Sequence, residues 1–325
     1  MPQHVRIGTR ASTLALTQTG HVADALAAHG DLDVETVRVR TDGDRLTGSL
    51  ATLGGTGVFV TALRDALLDG RCDVAVHSLK DLPTGDADGL VIAAVPLRED
   101  PRDALCARDG LTLAGLPDGA RVGTGSPRRA AQLLRARPDL DVVDIRGNVD
   151  TRLGRVAGSA TGPGDLDAVV LARAGLARIG RLEAVTELFD ADVMLPAPGQ
   201  GALAVETRAS GLTTELATPL AGALAALDHR PTRVAVLAER ALLARLEAGC
   251  AAPVGALATL DGDVLTLEAV VVRTDGSDAL RRRGSTTLGG TPAEDAVAAR
   301  ALGARLADDL LATGAADLAD LGHAR

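Results

Sequence analysis

Lysine is all but missing from this chain. Lys80 is the single lysine among 34 basic side chains, and arginine supplies the rest. Tryptophan and tyrosine are absent, and phenylalanine occurs only at Phe59 and Phe189. The core must therefore be built from Ala, Leu, Val and Ile, and no aromatic platform exists on which bases could stack. The formal net charge is −9, which lacks the basic footprint that phosphate neutralisation requires. Both features exclude nucleic acid as a partner. The run Arg281 to Arg283 reads as a solvated strand edge. Cysteine is scarce as well. Cys72, Cys106 and Cys250 are an odd number without metal-ligand spacing, so no metal is expected and a reduced compartment is the natural setting. No apolar run approaches a membrane span. The opening "MPQHVRIGTRAS" has no apolar stretch of the secretory kind. These absences predict a cytoplasmic protein with no membrane partner.

What is present has a clear order. "HVRIGTR" reads as a strand, and Ser12 or Thr13 can cap a helix running to about His29. "DVETVRVRT" is the next strand. "DGDRLTGSLATLGGTG", Asp42 to Gly57, has no periodicity and reads as a long loop. A helix from Val58 to Leu68 and strands from Asp73 to His77 and from Leu90 to Val95 follow. "PLREDPRDALCAR" then reads as a crossing point. Beyond it lie an "ARVGTGS" strand, a "PRRAAQLLRAR" helix, a "DVVDIRG" strand, a "NVDTRLGRVA" helix, and "LDAVVLARAGL" as strand and turn. "ADVMLPAPGQGALAVETR" supplies a strand that can return to the first unit. After one or two helices ending near Glu247, three segments separated by "DGD" and "TDGSD" read as an antiparallel meander. A helix from Pro292 to Leu311 would cover one of its faces. The pattern predicts two α/β units followed by a smaller α+β unit with a three-stranded antiparallel sheet.

In open α/β units, ligands bind beyond the carboxyl ends of the strands, where helix N-termini point. This sequence delivers a cation to each of those ends. Arg10, with Ser12, follows the first strand, and Lys80 follows "DVAVHS". Ser126, Arg128 and Arg129 follow "RVGTGS", Arg146 and then Arg152 follow "DVVDI", and Arg178 follows "AVVLARAGL". Helix starts ordinarily favour acidic residues. Any one of these arginines alone reads as a bridge to a neighbouring carboxylate. Their recurrence at equivalent positions points to a ligand with several anionic groups, which a planar guanidinium grips bidentately. Asp81 is the acid among these cations. It is either a salt-bridge partner of Lys80 or an arginine, or a carboxylate that hydrogen-bonds a reacting N–H where positive charge develops. Cys72 and Cys106 read as small buried hydrophobes, and His77 as a structural hydrogen-bonding residue. The small neighbours of Cys250 leave room for a bulky group, but a helix C-terminus disfavours a thiolate there.

Taken together, "IGTRASTLAL", "DVAVHSLKDLPT", "REDPRDAL", "GTGSPRRAAQL", "IRGNVDTRL", "LPAPGQGALAVE" and "RLEAGCAAPVGA" resemble the porphobilinogen deaminase (hydroxymethylbilane synthase) family, in family order and over nearly the whole chain. The resemblance implies two doubly wound domains of the periplasmic-binding-protein kind and a third domain. The expected division is 1–97 plus 197–215, then 98–196, then 216–325. It implies an enzyme, a transferase that condenses four porphobilinogen molecules with loss of four ammonia and releases hydroxymethylbilane, in haem-type tetrapyrrole biosynthesis. It implies a dipyrromethane cofactor, one per chain, held through a thioether to Cys250, with Asp81 catalytic. Lys80, Ser126, Arg128, Arg129, Arg146 and Phe59 are then expected on the cofactor. Arg10, Ser12, Arg152 and Arg178 are expected on the substrate, and the protein is expected to be a monomer.

The chain departs from the family in the glycine-rich loop. Thr52, Thr56 and Thr61 stand where bacterial relatives carry lysines, so Lys80 must act without that company. The alternative reading is a non-catalytic binding protein for small anions on the same two-domain plan. It would explain the arginines but not Asp81 beside Lys80, nor Cys250.

Overall fold

The computed structural model describes residues 2–39, 57–210, 219–249, 252–319 and 321. The chain divides into two compact units, 1–99 with 202–233 and 100–201 with 234–325.

The first unit is built on a five-stranded sheet. In chain order its strands are β1 (Gln3–Thr9), β2 (Leu32–Arg38), β3 (Val74–Ser78), β4 (Leu90–Ala94) and, from the returning chain, β10 (Leu203–Arg208). Their order across the sheet is β2-β1-β3-β10-β4. The first three are parallel, and β10 runs antiparallel to both its neighbours. Parallel neighbours need a crossover, and α1 (Thr13–His29) supplies it between β1 and β2. Its start is set by Ser12, whose hydroxyl accepts a hydrogen bond from the Ala15 amide at 3.3 Å. Its apolar stripe, Val22 and Leu26, packs on Val5, Ile7 and Val74 together with Leu224 of helix α6 (Pro219–Leu227). The opposite face is covered by α2 (Gly57–Leu68), through Leu63, Ala66 and Leu67 against Cys72 and Ala75. Gly8 is required at that contact, because a Cβ there would lie 2.8 Å from Cys72 Sγ. With both faces covered, β3 is apolar throughout its first four positions except for His77.

The second unit repeats this topology. Strands β5 (Asp103–Ala107), β6 (Arg121–Gly123), β7 (Asp141–Val143), β8 (Ala168–Ala172) and β9 (Glu187–Leu188) take the order β7-β6-β8-β5-β9. Again three parallel strands are followed by one antiparallel to both neighbours. Thus β5, the first strand of this sheet in sequence, has the place that β10, the last, has in the other. Its helices are α3 (Pro127–Ala136), α4 (Val149–Leu153) and α5 (Arg173–Arg178).

Two local expectations are corrected here. The helix expected over "NVDTRLGRVA" stops at Leu153, because the backbone of Thr161 packs on Gly154 where a side chain would sit and Val156 bridges to Leu166. The turn expected after "AVVLA" is instead the helical segment α5.

The C-terminal part of this unit is the expected meander of β11 (Val254–Asp261), β12 (Val264–Val272) and β13 (Ala279–Thr287). Helix α7 (Arg230–Arg245) leads into it, belonging to the first unit as far as Arg233. Helix α8 (Pro292–Ala312) starts at a capping box in which Thr291 and Glu294 satisfy each other's backbone amides. The core between α7, α8 and the sheet is Ala, Leu and Val without an aromatic, as the composition requires. Arg281 on β13 is not merely solvated. It donates to Glu268 Oε1 at 2.6 Å and to the Ala191 carbonyl at 2.9 Å. Among the described residues, no helix is long and apolar enough to cross a membrane. The mixed α/β class with a separate three-stranded antiparallel sheet agrees with the sequence reading.

Candidate active site

In the first unit the ends of β1 and β3 lie side by side through their parallel pairing. β1 delivers Arg10 and Ser12, both half-buried. β3 runs into a 3-10 turn, Leu79–Asp81, that carries Lys80 and Asp81, also half-buried. The turn is anchored and closed by backbone. Leu79 N donates to the Ala202 carbonyl at 3.0 Å, and Leu82 N donates to the Leu79 carbonyl at 3.2 Å. Gln18 on α1 binds the Ser78 hydroxyl at 3.0 Å, so α1 and the end of β3 keep a fixed spacing. The Asp81 carboxylate has no ion-pair or hydrogen-bond partner among the described residues. The salt bridge to Lys80, its plainer explanation, is therefore not formed.

Beneath this turn lies a buried polar group. Glu206 on β10 takes Arg64 of α2 bidentately, and its Oε2 lies 3.2 Å from His77 Nε2. At that separation the His77–Glu206 contact has the distance of a hydrogen bond but not its angle, since His77 Nε2 has no well-directed partner. Burial would push the Glu206 carboxyl up. His77 and Arg64 more than offset this and hold it below the usual range.

In the second unit, three strand ends bring their cations together. Ser126 precedes α3, which opens on Pro127, Arg128 and Arg129. Both arginines are buried, at 4% and 5% exposure, and both reach Asp103 at the start of β5, which is fully buried. Arg128 Nη1 lies 2.8 Å from Asp103 Oδ2 and donates to the Leu195 carbonyl at 2.6 Å. Arg129 donates through Nε to Asp103 Oδ1 at 2.9 Å and through Nη1 to the Val170 carbonyl at 3.1 Å. Gln200 Nε2 donates to the same Asp103 oxygen at 2.8 Å and lies 2.7 Å from the Pro101 carbonyl. Burial opposes ionisation of Asp103, but the charges of Arg128 and Arg129 win, and the carboxyl is held at about 2. The converse holds for Arg128, whose guanidinium is pushed down by burial despite Asp103.

The other arginines surround this pair. Arg152 of α4 donates to the Gly147 carbonyl at 2.8 Å. Burial, and then the charge of Arg129, push it below its ordinary value, with Asp144 opposing and Arg146 adding to the push. Arg146 is exposed, 3.7 Å from Asp144. Arg178 of α5 donates to the Gly201 carbonyl at 2.6 Å. The second unit thus gathers Arg128, Arg129, Arg146 and Arg152 into one electrostatic neighbourhood. Gly125, beside it, must be glycine because a Cβ would meet the Ile145 carbonyl at 2.5 Å.

Cys250, Thr52 and Thr56 lie outside the described residues, and only the backbone of Phe59, in α2, is within them. Thr61 is exposed on α2. Cys72 and Cys106 are buried, as expected, and burial raises both thiols, Cys106 to about 12. No cluster that could hold a metal occurs among the described residues. Sequence reasoning passed over Asp103, Gln200, Glu206 and Arg64. An acid directly after the charged linker in "REDPRDAL" and an acid inside the apolar run "ALAVE" were the available signals, since buried carboxylates need partners.

Cations at several strand ends, and a carboxylate without a partner among the described residues, sit on an α/β fold. The comparisons with known proteins make the class particular. Residues 5–215 match the family model "porphobilinogen deaminase, dipyromethane cofactor binding domain", and residues 234–312 match "porphobilinogen deaminase, C-terminal domain". The chain belongs to the porphobilinogen deaminase family, whose members are transferases. It is 57% identical to porphobilinogen deaminase of Cutibacterium acnes, over 98% of this chain and 97% of that protein. It is 58% identical to that of Thermobifida fusca, over 95% and 94%. Immunogenic lipoprotein A of Vibrio vulnificus, a solved structure, is 15% identical over 68% of this chain and 94% of its own, with a TM-score of 0.40.

Proposed function

We propose that this chain condenses porphobilinogen head to tail on a covalently held dipyrromethane primer and releases hydroxymethylbilane, acting as a monomer in the cytoplasm. The family membership supports the reaction. The observation that carries the site is the Asp81 carboxylate beside Lys80, without a partner among the described residues, on a turn anchored to Ala202.

The residues present fit the primer. Its acetate and propionate groups need cations, and the second unit holds a buried pair with two guanidiniums to one carboxylate. Arg128 also keeps a buried Nε without a hydrogen-bond acceptor, a donor left over for an anion. When bound, the primer supplies the free pyrrole position to which each new ring is joined. Cys250 would hold it by a thioether, Lys80, Ser126, Arg128, Arg129 and Arg146 would bind its carboxylates, and Phe59 would add an apolar contact. Arg10, Ser12, Arg152 and Arg178 orient the incoming porphobilinogen through its own acetate and propionate. Asp81 accepts a hydrogen bond from a pyrrole N–H and stabilises the positive charge that develops there as ammonia leaves. The domain division proposed with this reading is 1–97 plus 197–215, 98–196 and 216–325.

The test is intact mass. The protein as purified weighs more than its sequence by two porphobilinogen units less two ammonia, and Cys250→Ala does not. A parent protein at sequence mass, inactive with porphobilinogen, would instead be a small-anion binder.

A further inference from the structure

The charge on the anion grip of the second unit does not add up as a simple salt bridge. Two guanidiniums share one carboxylate, all three side chains are at least 94% buried, and Asp103 is completely so. Within this trio, two positive and one negative, one positive charge is in excess. Breaking or unbalancing a buried pair is costly because the remaining charge has no water around it. A chain that needed only to close this region could have placed a single arginine opposite Asp103.

The geometry is also asymmetric. Arg129 spends its fork on the protein, with Nε and Nη2 on Asp103, Nη1 on the Val170 carbonyl and Nη2 also 3.4 Å from Gln200 Oε1. Arg128 donates through Nη1 to the Leu195 carbonyl and has that nitrogen at ion-pair distance from Asp103 Oδ2, which has no well-directed hydrogen-bond partner, and its buried Nε has no acceptor. Gln200 closes the far side of Asp103. It is itself placed by the loop "APGQG", where the Gly199 amide donates to buried Glu239 of α7 at 2.6 Å. Asp103 is thus held by hydrogen bonds from Arg129 and Gln200 on one oxygen and by the charge of Arg128 at the other.

We propose that Asp103 is the positioning residue of this grip: a resident counter-ion that orients Arg128 and Arg129 and cancels one of their two charges, so that the pair presents a single net positive charge to one ligand carboxylate. The proposal rests on the reading of this unit as the primer's anion site. It assigns Asp103 no contact with the reacting atoms. Its work is done before loading, since it lets the unloaded protein fold with two buried guanidiniums in place.

The experiment compares loaded and unloaded protein, the latter produced in cells that make no porphobilinogen, for the parent, Asp103→Asn and the double variant Asp103→Asn with Arg129→Gln. The readouts are intact mass and melting midpoint, with sodium acetate titrated against sodium chloride at constant ionic strength. In Asp103→Asn the grip carries two uncompensated charges. Its unloaded form should melt roughly 5–10 °C below the unloaded parent. Acetate should raise that midpoint more than it raises the parent's, and the difference between loaded and unloaded midpoints should widen. The double variant again carries one net positive charge, so its unloaded midpoint should recover and its acetate response should return to the parent's. If Asp103→Asn is insoluble without porphobilinogen, recovery in the double variant alone carries the proposal. The proposal is overturned if Asp103→Asn lowers loaded and unloaded midpoints equally, if acetate acts no differently from chloride, or if the double variant fails to recover. A parent that never gains the primer mass would fail the functional reading instead, and the two failures are read from different samples.

Discussion

Arg64 and Glu206 form a bidentate pair between α2 and β10, with Arg64 Nη2 2.9 Å from Glu206 Oε1 and Nε 3.1 and 3.2 Å from the two oxygens. The pair ties the helix that follows the glycine-rich segment to the strand lying against β3, which ends in Lys80 and Asp81. Glu206→Gln should therefore cost about 3–5 kcal/mol, the usual result of stranding one member of a buried pair. The pH dependence has a definite sign. The folded carboxyl lies below its ordinary value, so its contribution is complete above the unfolded pKa and is lost as pH falls through the folded one. Denaturant titrations between about pH 3 and 7 should show a flatter acid limb in Glu206→Gln. An acid limb as steep as the parent's would mean that other carboxyls carry it.

Asp103 gives the same sign. Its folded value of about 2 lies below the ordinary aspartate value of 3.8. The difference corresponds to about 2 kcal/mol present above pH 4 and lost between about pH 4 and pH 2. Protonation followed by carboxyl NMR of the folded protein at falling pH checks it, and an Asp103 that titrates at the ordinary aspartate value contradicts it.

Cys250→Ala should abolish primer loading and nearly all activity, and the protein should melt earlier because a ligand bound only to the folded state is lost. Cys72→Ala and Cys106→Ala should keep the primer. They are buried with thiols pushed up, so iodoacetamide should label neither in the native protein. A Cys250→Ala protein with full primer mass would displace the attachment site.

Asp81→Asn keeps the shape and removes the charge. It should retain the primer or bound intermediates and turn over at least about 100-fold more slowly. The measurement is single-turnover ammonia release with mass spectrometry of the bound chain. Parent-like rates across neutral pH would return Asp81 to a structural part.

Lys80 is a point charge on a flexible stem, and arginine is a rigid fork. Lys80→Arg and Lys80→Gln should both lower primer loading and elongation, Gln more. The loss should be smaller when Thr52, Thr56 and Thr61 are replaced by lysine. A Lys80→Arg protein that loads and turns over like the parent would show that only the charge matters.

Much of this protein was legible without coordinates. Apolar runs such as "DVAVHS" and "DAVVLA" announced strands, and Ser12 and the "DGD" turn marked element ends by local hydrogen bonding and backbone preference. Those signals act over a few residues, so one strand of sequence carries them whole. The cations at the strand ends were legible for the same reason, since parallel topology decides where strand ends meet.

What only the tertiary structure decided is which of those cations are already engaged. Asp103 meets Arg129 across 26 residues and Gln200 across 97, and Glu206 meets Arg64 across 142. The end of α4 was set likewise, by Thr161 backbone lying on Gly154. A charge's partner depends on distance and burial, not on its neighbours in the chain. "PRR" in sequence is two equivalent arginines, and only the tertiary structure gives Arg129 acceptors for all of its nitrogens while leaving the buried Arg128 Nε without one.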